Sequence, residues 1–204
     1  MNTLRKWFGP TRQELWQQLC AEIGAKYHAG GFWGGDKVEV RHGEWTILLD
    51  TYAVSTGKTV MFFTRIRAPY VNPDQFRFTI YREHVFSDVC RLFGMQDLEV
   101  GHPEFDKAFI IQGTDEKKVR ALFACPRIRE LIMLQPSICL AVNDNEGWLG
   151  PSYPPGMDVL RYHVGGIVKE VERLKQLFEL FAATLDELCR IGSAYEDAPQ
   201  VKLS

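Results

Sequence analysis

From Val171 to Leu188 the chain sets Val171, Leu174, Phe178, Phe181, Leu185 and Leu188 in steps of three and four. That spacing puts six large apolar side chains on one stripe of an α-helix. A stripe of this kind has to be covered, so the last element is a long amphipathic helix running to about Arg190. What covers it is written upstream, where the period changes to two. Val38 and Val40 alternate with polar neighbours, and Trp45, Ile47 and Leu49 follow the His42-Gly43 turn. Ser55-Thr56-Gly57-Lys58 reads as the next turn, ahead of Val60, Phe62 and Ile66. A loop with Pro69 and Pro73 then leads to Phe76, Phe78 and Ile80. Together these runs predict an antiparallel meander of about four strands.

Helices surround the meander. Thr11 and Glu14 form a capping box ahead of Leu15, Leu19 and Ile23, predicting a helix over about 11–28 that stops at Gly30-Gly31. Val85, Phe86, Val89, Cys90, Leu92 and Phe93 fit a second helical stripe, closed by Gly94. Phe105 to Gln112 reads as a strand entered through His102-Pro103. Thr114 is read as the N-cap of a helix carrying Val119, Leu122 and Phe123. Pro126 starts another, with Ile128, Leu131 and Ile132, and Pro136 ends it. Ile138, Leu140 and Val142 alternate as a strand before the turn residues 143–147. Leu160, Tyr162 and Val164 alternate as a strand, although Leu160, Val164 and Ile167 also share a helical phase. Gly165-Gly166 favours the strand, because each glycine in mid-helix costs about 1 kcal/mol relative to alanine.

The resulting expectation is an α+β domain: an antiparallel sheet with helices on one face and the long C-terminal helix packed against it. Its bounds are residues 11–191, with an N-terminal extension over 1–10 and a polar, mobile tail over 192–204. Apolar residues make up 46% of the 204, enough for a core without staples. A net charge of −2 argues against a nucleic-acid partner, which usually meets a basic excess. No apolar run reaches the length of a transmembrane segment, and residues 1–10 lack the apolar core of a secretory signal. The five cysteines, Cys20, Cys90, Cys125, Cys139 and Cys189, are widely spaced within apolar stretches. They read as small hydrophobes in a reducing compartment, so the expected location is cytoplasmic.

The run from Leu98 to Ile111, with Gly101, Pro103, Phe105, Asp106 and Phe109, resembles a Gly-x-Pro-x-Phe-Asp-x-x-Phe run in a widespread set of uncharacterised bacterial domains. Asp115, Val119, Leu122, the 127–134 helix, Leu160-Arg161-Tyr162, Gly166 and the final helix extend the similarity. The resemblance implies the fold and brings no activity with it. Taken alone, the run has a structural explanation: Phe105 and Phe109 enter the core and Asp106 caps local N–H groups.

No motif for chemistry survives inspection. Thr56-Gly57-Lys58-Thr59 contains the end of a phosphate loop, but Tyr52 stands where the motif needs glycine, and the segment joins two strands. Gly30 to Gly35 follows a helix and precedes a strand, the reverse of a dinucleotide fingerprint. His102, Glu104 and Asp106 would share a face of an extended segment, yet Pro103 interrupts them and no second cluster accompanies them. Asn143, Asn145 and Gly147 lack the closing acid of a calcium loop, Pro154 standing there instead. No metal and no cofactor are expected.

The leading expectation is therefore a non-catalytic module that binds another protein. Its surface would be Phe32 and Trp33, bracketed by glycines, with Trp148 and Tyr153 of the proline-rich 147–157 loop, since aromatic residues dominate interface hot spots. A second expectation is a carrier or sensor holding a small hydrophobic molecule under the C-terminal helix, suggested by thirteen Phe, seven Tyr and five Trp. A third is an enzyme whose site assembles only in the fold, from Glu83, His84, His102, Asp106, Cys139 and His163.

Overall fold

The computed structural model describes residues 9–30, 35–55, 57–82, 96–144 and 153–195. Helix α1 (Arg12–Ile23) opens on the expected capping box, in which the Thr11 hydroxyl accepts from the Glu14 N–H and the Glu14 side chain reaches back to the Thr11 N–H. It stops at Gly24, whose φ of 68° is the left-handed conformation that glycine adopts without a Cβ penalty. The expected helix to residue 28 is thus cut short, and its last residues form strand β1 (Lys26–His28). Strands β2 (Lys37–His42), β3 (Trp45–Ser55) and β4 (Val60–Val71) follow as a meander. Pro69 lies inside β4, where a loop was expected. It is tolerated because β3 pairs with β4 only as far as Arg67, so at Pro69 the strand has β8 alone beside it.

β5 (Phe78–Tyr81) does not join the meander at β4. The eight strands lie in the order β1-β2-β3-β4-β8-β7-β5-β6, and every pairing between them is antiparallel. β6 (Ile110–Gly113), β7 (Cys139–Asn143) and β8 (Met157–Gly165) complete the sheet. β8 settles the ambiguity over residues 157–166 as strand, and Gly166 leaves it at φ 86°. Phe105 is not in a strand. Pro103 at the first helical position, with Glu104 and Asp106 in the first turn, starts a short helix, α2 (Pro103–Ala108), and only then does β6 begin. Helix α3 (Glu116–Phe123) is capped by Asp115, one residue later than expected, and α4 (Pro126–Met133) starts on Pro126. The stripe over 85–93 lies outside the described residues.

Helix α5 (Val171–Arg190) packs against α1, α3 and α4, and its Leu174, Leu177, Phe181 and Leu185 are fully buried. One row of the sheet shows the core clearly. Val38, Leu49, Ile66, Tyr162, Leu140, Ile80 and Ile111 are successive partners across seven strands, and all are sealed from solvent within the same cluster as α5. Partners across an antiparallel pair point to the same face, so this row is the helix-facing floor of the core. The α+β architecture, with α5 buried over the sheet through the other helices, is the expected one. After α5, Ser193 is fully buried and Tyr195 donates its N–H to the Val71 carbonyl. The first four residues assigned to a mobile tail are therefore held on the domain.

The opposite face is polar and also closed. Asp50, Arg65 and His163 are register partners, as are Leu48, Arg67, Arg161 and Ala141 in the adjacent row. Asp50 accepts from Arg65 Nε and Nη2, both at 2.8 Å, and from Arg67 Nη2 at 2.6 Å. Burial, with Arg161 and Arg65 adding positive charge, depresses the His163 pKa to about 3. In the unfolded chain the same imidazole takes up its proton near the ordinary 6.5. The unfolded state therefore binds more protons as pH falls from about 6.5 toward 3, and His163 withdraws stability through that window at up to about 1.4 kcal/mol per unit. Urea midpoints measured from pH 7 to pH 4 should fall more steeply for the native protein than for His163→Leu. Equal slopes would show that His163 is solvated.

The cysteines divide. Cys20, Cys125 and Cys189 stand outside any disulfide, whereas Cys139 is disulfide-bonded. The reading of all five as lone apolar thiols is corrected at Cys139, and the compartment argued from it loses that support.

Candidate functional site

The β3–β4 hairpin runs past the rest of the sheet. β8 pairs with β4 only from Thr64 onward, and Gly166 makes the last contact, donating its N–H to the Phe62 carbonyl at 2.7 Å. Beyond that point Ala53, Val54 and Ser55 pair with Phe62, Met61 and Val60 as a two-stranded arm. Gly57, at φ 81°, bends the chain at its end, so the Gly-Lys segment sits in a hairpin turn. A two-stranded ribbon has little stability of its own and relies on what it packs against.

The arm is apolar and open. Val54 is 40% exposed, Val60 54%, Met61 36% and Phe62 52%. Alternation puts Val54 and Met61 on one face and Val60 and Phe62 on the other, so both faces are apolar. At its base Tyr52 stacks on Phe63, with ring centroids 5.1 Å apart, and Arg65 lies 5.0 Å from the centre of the Tyr52 ring. From Thr51 to Thr64 the sequence holds no acid and one base, Lys58. Monomeric soluble proteins rarely leave several large apolar side chains together in water, and such clusters mark contact surfaces. Edge ribbons are normally guarded by charge or proline, and this arm has only the tip lysine.

A second feature lies where the turn after β4 meets the chain entering β8. Asn72 donates its N–H to the Gly156 carbonyl at 2.8 Å and its Nδ2 to Asp158 at 2.6 Å. Arg77 grips both oxygens of Asp158 and also pairs with Asp144 at 3.0 Å. These residues border an open cavity of about 250 Å³, and Tyr153 is part of its wall.

Of the aromatic residues expected to meet a partner, Tyr153 is half-buried in that wall, and its N–H is bonded to the Asp144 carbonyl. Phe32, Trp33 and Trp148 lie outside the described residues. Of the residues expected to assemble a catalytic site, those that are described are not gathered into one. Asp106 accepts the N–H groups of Val100, Gly101 and His102 at 2.8–3.0 Å, the structural role its position suggested. Its carboxylate also sits in the first turn of α2, where negative charge is favoured. His163 is buried on the far face of β8, and Cys139 is committed to a disulfide. Glu83 and His84 lie outside the described residues. Among the described residues no group of three or more His, Cys, Asp and Glu side chains is placed to hold a metal. No described helix is long and apolar enough to cross a membrane.

Comparison with known proteins adds little to this geometry. No family model matches the chain, so the Gly-x-Pro-x-Phe-Asp resemblance stands on those residues alone, and no curated protein matches. Among solved structures, the crystal structure of the mycobacterial trehalose monomycolate transport factor A, TtfA, is similar over 87% of this chain and 96% of that one. The TM-score is 0.49 and the identity 8%, a distant likeness of fold that carries no argument about function.

Proposed function

We propose that this chain is a non-catalytic binding module whose partner is another protein, held by the β3–β4 arm. The observation that carries the reading is the exposure of Val54, Val60, Met61 and Phe62 together on a ribbon that leaves the sheet. Two details favour protein over lipid. A lipid-dipping loop places its apolar side chains foremost, whereas the described residues at the end of this arm are Ser55, Gly57, Lys58 and Thr59, and the apolar band lies behind them. Apolar side chains on both faces suit a cleft that closes around the arm, with the polar tip emerging beyond it.

The carrier reading draws no support from the described residues: the cavity at Asn72 and Asp158 is lined by no residue of α5 and has charged walls.

Val60→Ser with Phe62→Ser tests the proposal. Both sites are exposed, so the double variant should unfold within about 0.5 kcal/mol of the parent. It should lose at least about tenfold in the affinity for the protein that co-purifies with the parent at constant ratio, since hot-spot aromatics carry about 2 kcal/mol or more each. Undiminished co-purification, or a parent that purifies with no protein at all, would refute the assignment.

A further inference from the structure

The arm offers a partner more than side chains. In an antiparallel pair, residues whose N–H and C=O groups face the neighbouring strand alternate with residues whose groups face away from it. The Phe62 carbonyl accepts from Gly166 on the β8 side, so Phe62 and its register partner Ala53 turn their backbone groups away from one another. Two residues on, Ser55 and Val60 do the same. Counting along β4 from Phe62, Pro69 turns away from β8 toward the lane that β3 leaves at Arg67, which is where a residue without an N–H fits. β2 holds the lane outside β3 only as far as Leu49, the partner of Val38. Beyond it, among the described residues, nothing takes the outward N–H and C=O groups of Ala53 and Ser55, and both residues are exposed. The edge carries none of the usual guards, for Thr51 to Ser55 has no charge, no proline and no bulge.

We infer that the partner supplies an extended segment that pairs along this edge as a further β-strand, exchanging backbone hydrogen bonds with Ala53 and Ser55. The inference rests on the arm as the binding surface and adds what lies against it. Strand addition satisfies four backbone groups at once, whereas a helix laid on the arm satisfies none of them. Alternation then continues the Val54–Met61 face on one side of the segment and the Val60–Phe62 face on the other, so the segment is apolar on both. Charge gives its remaining feature. The arm has no acid from Thr51 to Thr64 and one base, Lys58, at its tip, so the segment carries a carboxylate where it passes the tip.

The test is residue-resolved amide hydrogen exchange on the full chain, alone and with the protein that co-purifies with it at constant ratio. The Ala53 and Ser55 N–H groups should exchange fast in the chain alone and slow by at least about tenfold in the complex, because a paired N–H is shielded from exchange. Ala53→Pro removes an outward N–H that β3 does not use toward β4, so it should keep the unfolding midpoint. It should weaken binding about tenfold, since a carbonyl of the added strand is left unmet. Ala53→Ser keeps the N–H and should bind as the parent does. Should Ala53→Pro disturb the arm, lactic acid in place of Ala53 removes the same N–H without the ring, with the same loss expected. Suppose Val60→Ser with Phe62→Ser abolishes the complex. Fast exchange at Ala53 and Ser55 within the parent's complex, or parental affinity in the variant lacking the N–H, would then overturn strand addition and leave the arm as the surface. Binding that survives Val60→Ser with Phe62→Ser, or the absence of any co-purifying protein, would overturn both. Slowing that grows with the chain's own concentration would put a second copy on the edge and overturn the choice of a different partner.

Discussion

Replacing Asp50 with alanine lowers the unfolding free energy by about 3–5 kcal/mol. Asp50 lies in β3 with its side chain on the closed polar face, 2.8 Å from two nitrogens of Arg65 and 2.6 Å from one of Arg67. Arg67 is fully buried. A guanidinium in that position cannot shed its proton, so removing the carboxylate takes a counter-charge and three accepted hydrogen bonds out of a low-dielectric layer. The cost is the desolvation of that charge, which is why breaking such a pair costs more than forming it gained. Urea unfolding should show a lower midpoint with an unchanged slope. A loss below about 1 kcal/mol would mean that Asp50 contributes no more than a surface ion pair does.

Phe123→Ala should cost about 3–5 kcal/mol by a different route. Phe123 ends α3 and is fully buried. Its ring meets Phe78 of β5 edge-on, with centroids 5.7 Å apart, and Phe105 of α2 at 5.8 Å. Phe105 in turn lies 4.8 Å from Phe109. Truncation opens a cavity at a point where helix, sheet and the 102–109 segment converge, and its two aromatic neighbours, on separate elements, collapse poorly into the space. Phe123→Leu, which keeps more of the volume, should cost less. Equal losses for the two would place the effect in the helix terminus rather than in the ring.

Several parts of this fold were legible in the residues because the signal is local. The α5 stripe and the Thr11–Glu14 box each announce a helix within one or two turns. Gly165-Gly166 was enough to make Leu160 to Val164 a strand. What escaped depends on partners far away in sequence. Pro69 reads as a breaker until β3 is seen to end its pairing at Arg67. β5 reads as the meander's next strand until β8 and β7 come between it and β4. The 103–108 helix is hidden in the sequence because Phe105 and Phe109 also fit an extended run, in which Pro103 reads as an interruption rather than as a helix start.

The candidate surface was hidden for the same reason. Val60-Met61-Phe62 looks like any strand buried on both faces. Only the end of β8 pairing at Thr64 turns it into an exposed arm. The one local clue was the lack of any carboxylate from Thr51 to Thr64. The cavity brings together Asn72, Gln75, Arg77, Asp144 and residues 153–158, and of these only Tyr153 stands out in the sequence, for its ring rather than for its neighbours.

The most direct test of the account is site-specific photo-crosslinking in living cells, with a benzophenone amino acid in place of Phe62 and, as a control, in place of Glu172 on the exposed flank of α5. The account predicts one discrete protein adduct from position 62, identified by mass spectrometry and absent from position 172. Lipid adducts alone at position 62, or the same adducts at both positions, would contradict it.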